Sequence, residues 1–171
     1  LPLLGLAHAM QTITGNNYGA GAFRRSDASL RTAILAASAY CLAMQTAMTV
    51  FAAPIGSAFV SDPVVIDEVA RILPVISAGF FVAGPLMMIA RHSQAIGDVR
   101  RAAILGLSKP YLFVMPLTFA LVWSVGETGI WLAAPVAEVL LVGLTGLVLA
   151  QVARAQSLRW GLFTTAVEVR A

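Results

Sequence analysis

Charge is scarce in this sequence, and cysteine is nearly absent. Only 11% of the 171 residues are Asp, Glu, Lys or Arg, 59% are hydrophobic, and the mean hydropathy is +0.86. Soluble domains carry about 25% charged residues. A water-soluble core is therefore excluded, because too few polar residues are present to cover the apolar ones. The single cysteine, Cys41, excludes an intramolecular disulfide and a cysteine-only zinc site. It reads as a small buried apolar residue. No Gly-rich loop ending in Lys-Ser or Lys-Thr occurs, which excludes a nucleotide-driven pump within these residues. No His and Glu pair stands at metal-ligand spacing, so no metal site, no catalytic residue and no enzyme are expected. A signal peptide is not recognisable either. The chain starts at Leu1 inside an apolar run, without Met, and is expected to be the C-terminal piece of a longer protein.

The few charges are unevenly placed. Ten of the eleven Lys and Arg residues fall in three clusters: Arg24, Arg25 and Arg31; Arg91, Arg100, Arg101 and Lys109; Arg154, Arg159 and Arg170. The intervening gaps hold only Arg71, among Asp62, Asp67, Glu68 and Glu127. Cytoplasmic loops of membrane proteins carry the excess of basic residues. The three clusters are thus expected in the cytoplasm and the two acidic gaps outside. A cysteine at Thr128 would then react from outside, and one at Ser157 would not. The net charge of +3 and the pI near 9.6 do not indicate a nucleic-acid partner, because the basic residues flank apolar runs rather than line one face.

A span needs about 20 apolar residues to cross roughly 30 Å of hydrocarbon. Five candidates meet or approach this: Leu1 to about Phe23, Ala33 to Val60, Ile72 to Ala90, Ala102 to Ser124 and Gly129 to Val152. The runs do not alternate polar with apolar as barrel strands do, so the fold class is all-α integral membrane. Ser61-Asp62-Pro63, with Asp67 and Glu68 following, predicts a short amphipathic helix over 62–71 on the outer surface. Residues 1–153 form the transmembrane unit, and 154–171 form a cytoplasmic tail in which Trp160 and Phe163 rest at the interface.

Polar residues inside the spans are the candidate functional groups. Gly5, His8, Thr12 and Gly15 recur at spacings of 3, 4 and 3, which is one helix face, and Gln11 sits beside it. Ser38, Gln45 and Thr49 share a face, as do Ser77, Gly84 and Met88. These faces border a polar cavity or serve as helix-packing contacts. His8 is a proton-sensitive candidate, set against a neutral histidine bonded to a neighbouring helix. Glu138 is the sole carboxylate within a span, an expensive placement and a candidate for a coupling ion. Lys109 is placed near the cytoplasmic end of the fourth span. Gly84-Pro85 predicts a bend in the middle of the third span, of the sort transporters use near binding sites.

Several segments resemble the multidrug and toxin extrusion (MATE) transporters. Gln11-Thr12-Ile13-Thr14-Gly15-Asn16-Asn17-Tyr18-Gly19-Ala20-Gly21, followed by Arg24-Arg25, resembles the end of that family's eighth helix. Gly79-Phe80-Phe81 through Gly84-Pro85 looks like the tenth, and Asp98-Val99-Arg100-Arg101-Ala102 with Ser108-Lys109-Pro110 and Met115-Pro116 is similar to the eleventh. The run from Gly129 through Trp131 and Pro135 to Glu138 is similar to the start of the twelfth. The resemblance implies helices eight to twelve of the C-terminal six-helix lobe of a twelve-helix, two-lobe transporter. It implies export of amphipathic, often cationic compounds in exchange for Na⁺ or H⁺, with no other cofactor. The implied partners are the bilayer, small amphipathic substrates and the missing N-terminal lobe, in a bacterial plasma membrane with the C-terminus cytoplasmic. Gln11, Asn17, Gln45, Ser77, Gly84 and Pro85 are the expected substrate-pathway residues, and Glu138 and His8 the coupling-ion candidates. Two departures matter: Thr12 stands where the family often has Pro, and Ile72–Ala90 lacks the cation-binding acid some members carry there. The alternatives are a lipid-linked precursor flippase or polysaccharide exporter of the same superfamily, and a truncated non-functional relic. A flippase would need several Arg or Lys lining its spans.

Overall fold

The computed structural model describes residues 2–156 and 158–163. Apart from one antiparallel bridge between Arg159 and Phe163, the regular elements among these are helices. In chain order they are α1 (Pro2–Gly19), α2 (Phe23–Val50), α3 (Ala52–Phe59), α4 (Pro63–Ile76), α5 (Phe80–Ala95), α6 (Val99–Leu107), a π-helical segment (Ser108–Val114), α7 (Met115–Val125) and α8 (Thr128–Gln156). The all-α membrane class is as expected. Among the described residues, three helical stretches are long and apolar enough to cross a bilayer: Phe23–Val50, Val99–Val125 and 128–155. The α4–α5 pair makes a fourth span if counted as one, and α1 is not among them, so the count reaches four where the sequence predicts five.

The interruptions follow from backbone chemistry. The second predicted span starts ten residues early, at Phe23, so its first turns carry Arg24, Arg25, Asp27 and Arg31 out of the apolar region. It breaks at Phe51 (φ −105°, ψ 26°), because Pro54 has no N–H to offer the Val50 carbonyl one turn back. α4 starts as predicted: the Asp62 carboxylate accepts from Val64 N at 2.9 Å, and Pro63 occupies the first turn. It does not stop at Arg71, however, but continues to Ile76. α4 and α5 then meet at 45°. The turn between them runs through Ser77 and Gly79, and Gly79 adopts φ +86°, a left-handed conformation suited to glycine.

The span is thus broken at Ser77–Gly79, ahead of Gly84-Pro85. α5 runs without interruption through Gly84-Pro85. Gly84 is needed for contact instead: a Cβ there would lie 2.7 Å from Cys41 Sγ and 3.0 Å from the Ala37 carbonyl oxygen. Replacing Gly84-Pro85 by Ala-Ala would therefore push α5 off α2 rather than stiffen a hinge.

Lipid is as apolar as a leucine side chain, so helices in a bilayer associate through close packing of small residues rather than through burial from water. The interior has that character. α2 turns Ser26, Leu30, Ala33, Ala37 and Cys41 inward, against α1 and α5. Met88 of α5 and Ala7 and Met10 of α1 complete the central cluster. α8 buries Gly129, Ala133, Ala137, Leu141 and Thr145, one residue every four, which is a single stripe down the helix. The large apolar side chains point the other way; Phe119, Trp123, Val139 and Leu147 are exposed. Of the predicted tail, Arg154 belongs to α8, and Phe163 folds back so that the Arg31 guanidinium sits 4.6 Å from its ring centroid. Trp160 is exposed, while Ser157 and Arg170 lie outside the described residues.

Candidate functional site: an ion pair beside a broken helix

Glu138 lies ten residues past the first residue of α8, about 15 Å along the axis at 1.5 Å per residue. That is about a third of the way along the 29 residues of α8. Its carboxylate Oε1 accepts from Lys109 Nζ in an ion pair. Lys109 was expected at the membrane edge. Lys109 lies ten residues after the start of its helical stretch at Val99, and its ammonium reaches the Glu138 carboxylate of α8. Pro110 lies within the same π-helical turn, where the ordinary helical hydrogen-bond ladder is interrupted. Such one-turn widenings are often found at functional sites.

The pair is lopsided. The Glu138 side chain is 6% exposed and that of Lys109 is 36% exposed. The second carboxylate oxygen, Oε2, is buried and has no hydrogen-bond partner. Gly79 packs on the stem of Glu138: a Cβ on Gly79 would lie 3.3 Å from Glu138 Cβ. The break between α4 and α5 thus sits directly on the acid. Trp131, two helical turns before Glu138, likewise keeps a buried Nε1 without a partner. A cavity of about 570 Å³ opens beside the pair, between α5, α6 and α8, and is bordered by Lys109, Glu138, Arg91 and Gln94. Arg91 donates to Gln94 Oε1 at 3.2 Å, which leaves Lys109 and Glu138 facing each other.

The α1 face predicted to be polar runs along the edge of α5. His8 and Thr12 are exposed, while Ala7, Met10 and Thr14 face inward. With Gln11, Gly15 and Asn16 they line a cleft of about 450 Å³ that also touches Gln94. Gln94 therefore borders both this cleft and the cavity beside the ion pair. Gly15 is a packing contact among them: a Cβ there would lie 3.5 Å from the Ala95 carbonyl oxygen of α5. Asn17 is half-buried, and its carbonyl accepts from Ala22 N at 2.8 Å, closing the turn after α1.

Other candidates have local duties. Gln45 Oε1 accepts from Phe81 N at 2.8 Å and so satisfies an otherwise orphan donor at the start of α5. Ser77 donates to the Leu73 carbonyl at 2.7 Å, Ser38 to Ile34, and Thr49 to Gln45, each within its own helix. Gly84 belongs to the α2–α5 contact, and neither it nor Pro85 lines the cavity. On the basic side, Asp98 caps α6 by accepting from Arg101 N at 2.9 Å, and its other oxygen accepts from Arg101 Nε at 2.6 Å. Partial burial pushes the Asp98 carboxyl up, but these hydrogen bonds and the charges of Arg101 and Arg100 outweigh it and hold the group below its usual range. This cap anchors the wall of a cavity of about 900 Å³ that also contacts Ser26, Asp27 and His92.

The contribution that sequence reasoning missed is that of Lys109. Its partner lies 29 residues away on another helix, and no local spacing announces such a pair.

Comparison with known proteins adds kinship to the geometry. The family model described as MatE matches residues 1–120, more than half of the chain. Protein DETOXIFICATION 16 of Arabidopsis thaliana is 28% identical over 146 residues, covering 84% of this chain. The chain spans 30% of that relative's length. No solved structure gives a significant match.

Proposed function

We infer the activity from one premise: the chain belongs to the MatE family of membrane transporters. The reading is secondary active antiport, in which small amphipathic, often cationic compounds leave in exchange for Na⁺ or H⁺. The observation that carries it is the Glu138 carboxylate, buried within the α8 span with one oxygen unpartnered and opening on a cavity. A buried carboxylate is costly unless a cation stands against it. A site of that kind alternates naturally between cations, which is what exchange requires. The α1 cleft around His8 and Gln11, which shares Gln94 with that cavity, is the adjoining stretch of the substrate pathway. His8 is exposed on it and is not placed at the ion pair. The flippase reading is weaker, because the lone intramembrane lysine is neutralised by Glu138 and leaves no excess positive charge for a pyrophosphate.

The test uses the whole transporter in proteoliposomes. Ethidium efflux should rise under an imposed inward Na⁺ or H⁺ gradient, and Glu138→Gln should lower that rise by at least about tenfold. Efflux indifferent to both gradients would overturn the antiport reading.

Orientation is a part of the same proposal: the basic clusters face the cytoplasm, in a plasma membrane. With Cys41 replaced, a cysteine at Thr128 should react with an impermeant maleimide added outside intact cells. One at Gly97, in the basic α5–α6 turn, should react only after permeabilisation, and the opposite labelling would invert the topology.

A further inference from the structure

Within the Lys109–Glu138 pair the two charges differ in freedom. The carboxylate is fixed: its side chain is 6% exposed, and Gly79 presses on its stem. The ammonium is 36% exposed, is carried on a flexible four-carbon stem and borders the cavity of about 570 Å³. Its backbone lies in the π-helical turn beside Pro110, where the helical ladder is already interrupted. The lysine therefore has somewhere to go, and the glutamate has not. The unpartnered Oε2 marks unused capacity for a further ligand at the carboxylate.

We propose that Lys109 is a tethered counter-ion at a monovalent-cation site centred on Glu138. Its ammonium neutralises the carboxylate when the site is empty and moves into the cavity when an external cation takes its place. The inference rests on the antiport reading above and adds to it. A bare carboxylate within the bilayer is prohibitively costly, so an exchanger built on one needs a substitute cation for its empty state. Lys109 supplies that substitute from the same chain. The displaced ammonium keeps its charge, so the loaded site carries one more positive charge than the empty one. Cation affinity is then set by competition. Removing the lysine strengthens binding, whereas removing the carboxylate abolishes it.

Two measurements on the purified whole transporter test this. In the first, NaCl and tetraphenylphosphonium chloride are titrated calorimetrically in separate runs, with choline chloride holding ionic strength. Lys109→Met should bind at least one of the two probes roughly tenfold tighter than wild type, a typical coupling between linked sites. Glu138→Gln should lose that binding. A response to sodium alone identifies an inorganic-ion site, and a response to tetraphenylphosphonium alone identifies an organic-cation site. Unchanged or weaker binding of both probes by Lys109→Met overturns the proposal.

The second measurement guards against misfolding of that variant. The protein with its native lysine is reductively methylated with ¹³C-formaldehyde, and the Lys109 dimethylammonium signal is assigned by its loss in Lys109→Arg. Saturation with the bound probe should move this signal toward that of free dimethyl-lysine, and a signal that stays in place overturns the proposal. Absence of gradient-driven ethidium efflux from wild type would strike the antiport reading alone, because neither binding measurement depends on transport.

Discussion

Gly129→Ala should loosen the α7–α8 hairpin and cost roughly 3 kcal/mol or more. The chain leaves α7 at Gly126, which adopts φ +70° and ψ −147°, and α8 begins two residues later. The reversal is so tight that a Cβ on Gly129 would lie 2.4 Å from the carbonyl carbon and oxygen of Leu121. Those are backbone atoms of the neighbouring helix, so no side-chain rotation relieves the overlap, and α7 must move. Gly143, in the same helix, supplies the control. A Cβ there meets nothing within 4 Å, so Gly143→Ala should be neutral or gain up to about 1 kcal/mol from helix propensity. SDS-induced unfolding in mixed micelles measures both. The hairpin also sets how far Lys109 and Glu138 lie along their respective helices. Gly129→Ala should therefore reduce gradient-driven efflux in whatever protein remains folded. Equal stability of the two alanine variants would refute the close approach of α7 and α8.

How much of this was legible beforehand depended on whether the cause was local. The Asp62 cap with Pro63 is a short-range device, and it was readable from three residues. The membrane class followed from composition, and Glu138 stood out because a carboxylate in a charge-free run has no local excuse. What escaped was set by helix-to-helix geometry. Gln45 reads as a polar face residue until Phe81, 36 positions away, is seen donating to it. Gly84-Pro85 contains the strongest helix breaker, yet the bend lies at Ser77–Gly79, where Gly79 takes a positive φ. Proline costs a helix one hydrogen bond and a clash with the carbonyl one turn back, but packing of α5 against α2, α1, α6 and α8 keeps it helical through Pro85. Lys109 reads as a residue near the end of its span until Glu138, 29 positions away on α8, is seen accepting from it. The MATE resemblance is upheld by the family match over residues 1–120, which takes in the segments from Gln11 to Pro116.

Lys109→Met alone should destabilise the protein by roughly 3 kcal/mol in choline buffer, at the low end of the range for breaking a buried pair because the lysine is partly exposed. The loss comes mostly from Glu138, which is left buried with both oxygens lacking a partner. Glu138→Leu alone should cost less, since the stranded ammonium can turn into the adjoining cavity. The double variant Lys109→Met/Glu138→Leu removes both charges and replaces them with apolar groups of similar bulk. It should recover to within about 1 kcal/mol of wild type, as apolar replacement of buried pairs commonly does. The four proteins close a thermodynamic cycle, and the same SDS titration reads each corner. Single costs that add up in the double variant within about 0.5 kcal/mol would mean that the two residues are not coupled. Strong coupling, together with a double variant that folds normally yet fails to export ethidium against a gradient, would locate the value of the pair in transport. Such a pair contributes little net stability, and its retention within the membrane then follows from the exchange it permits.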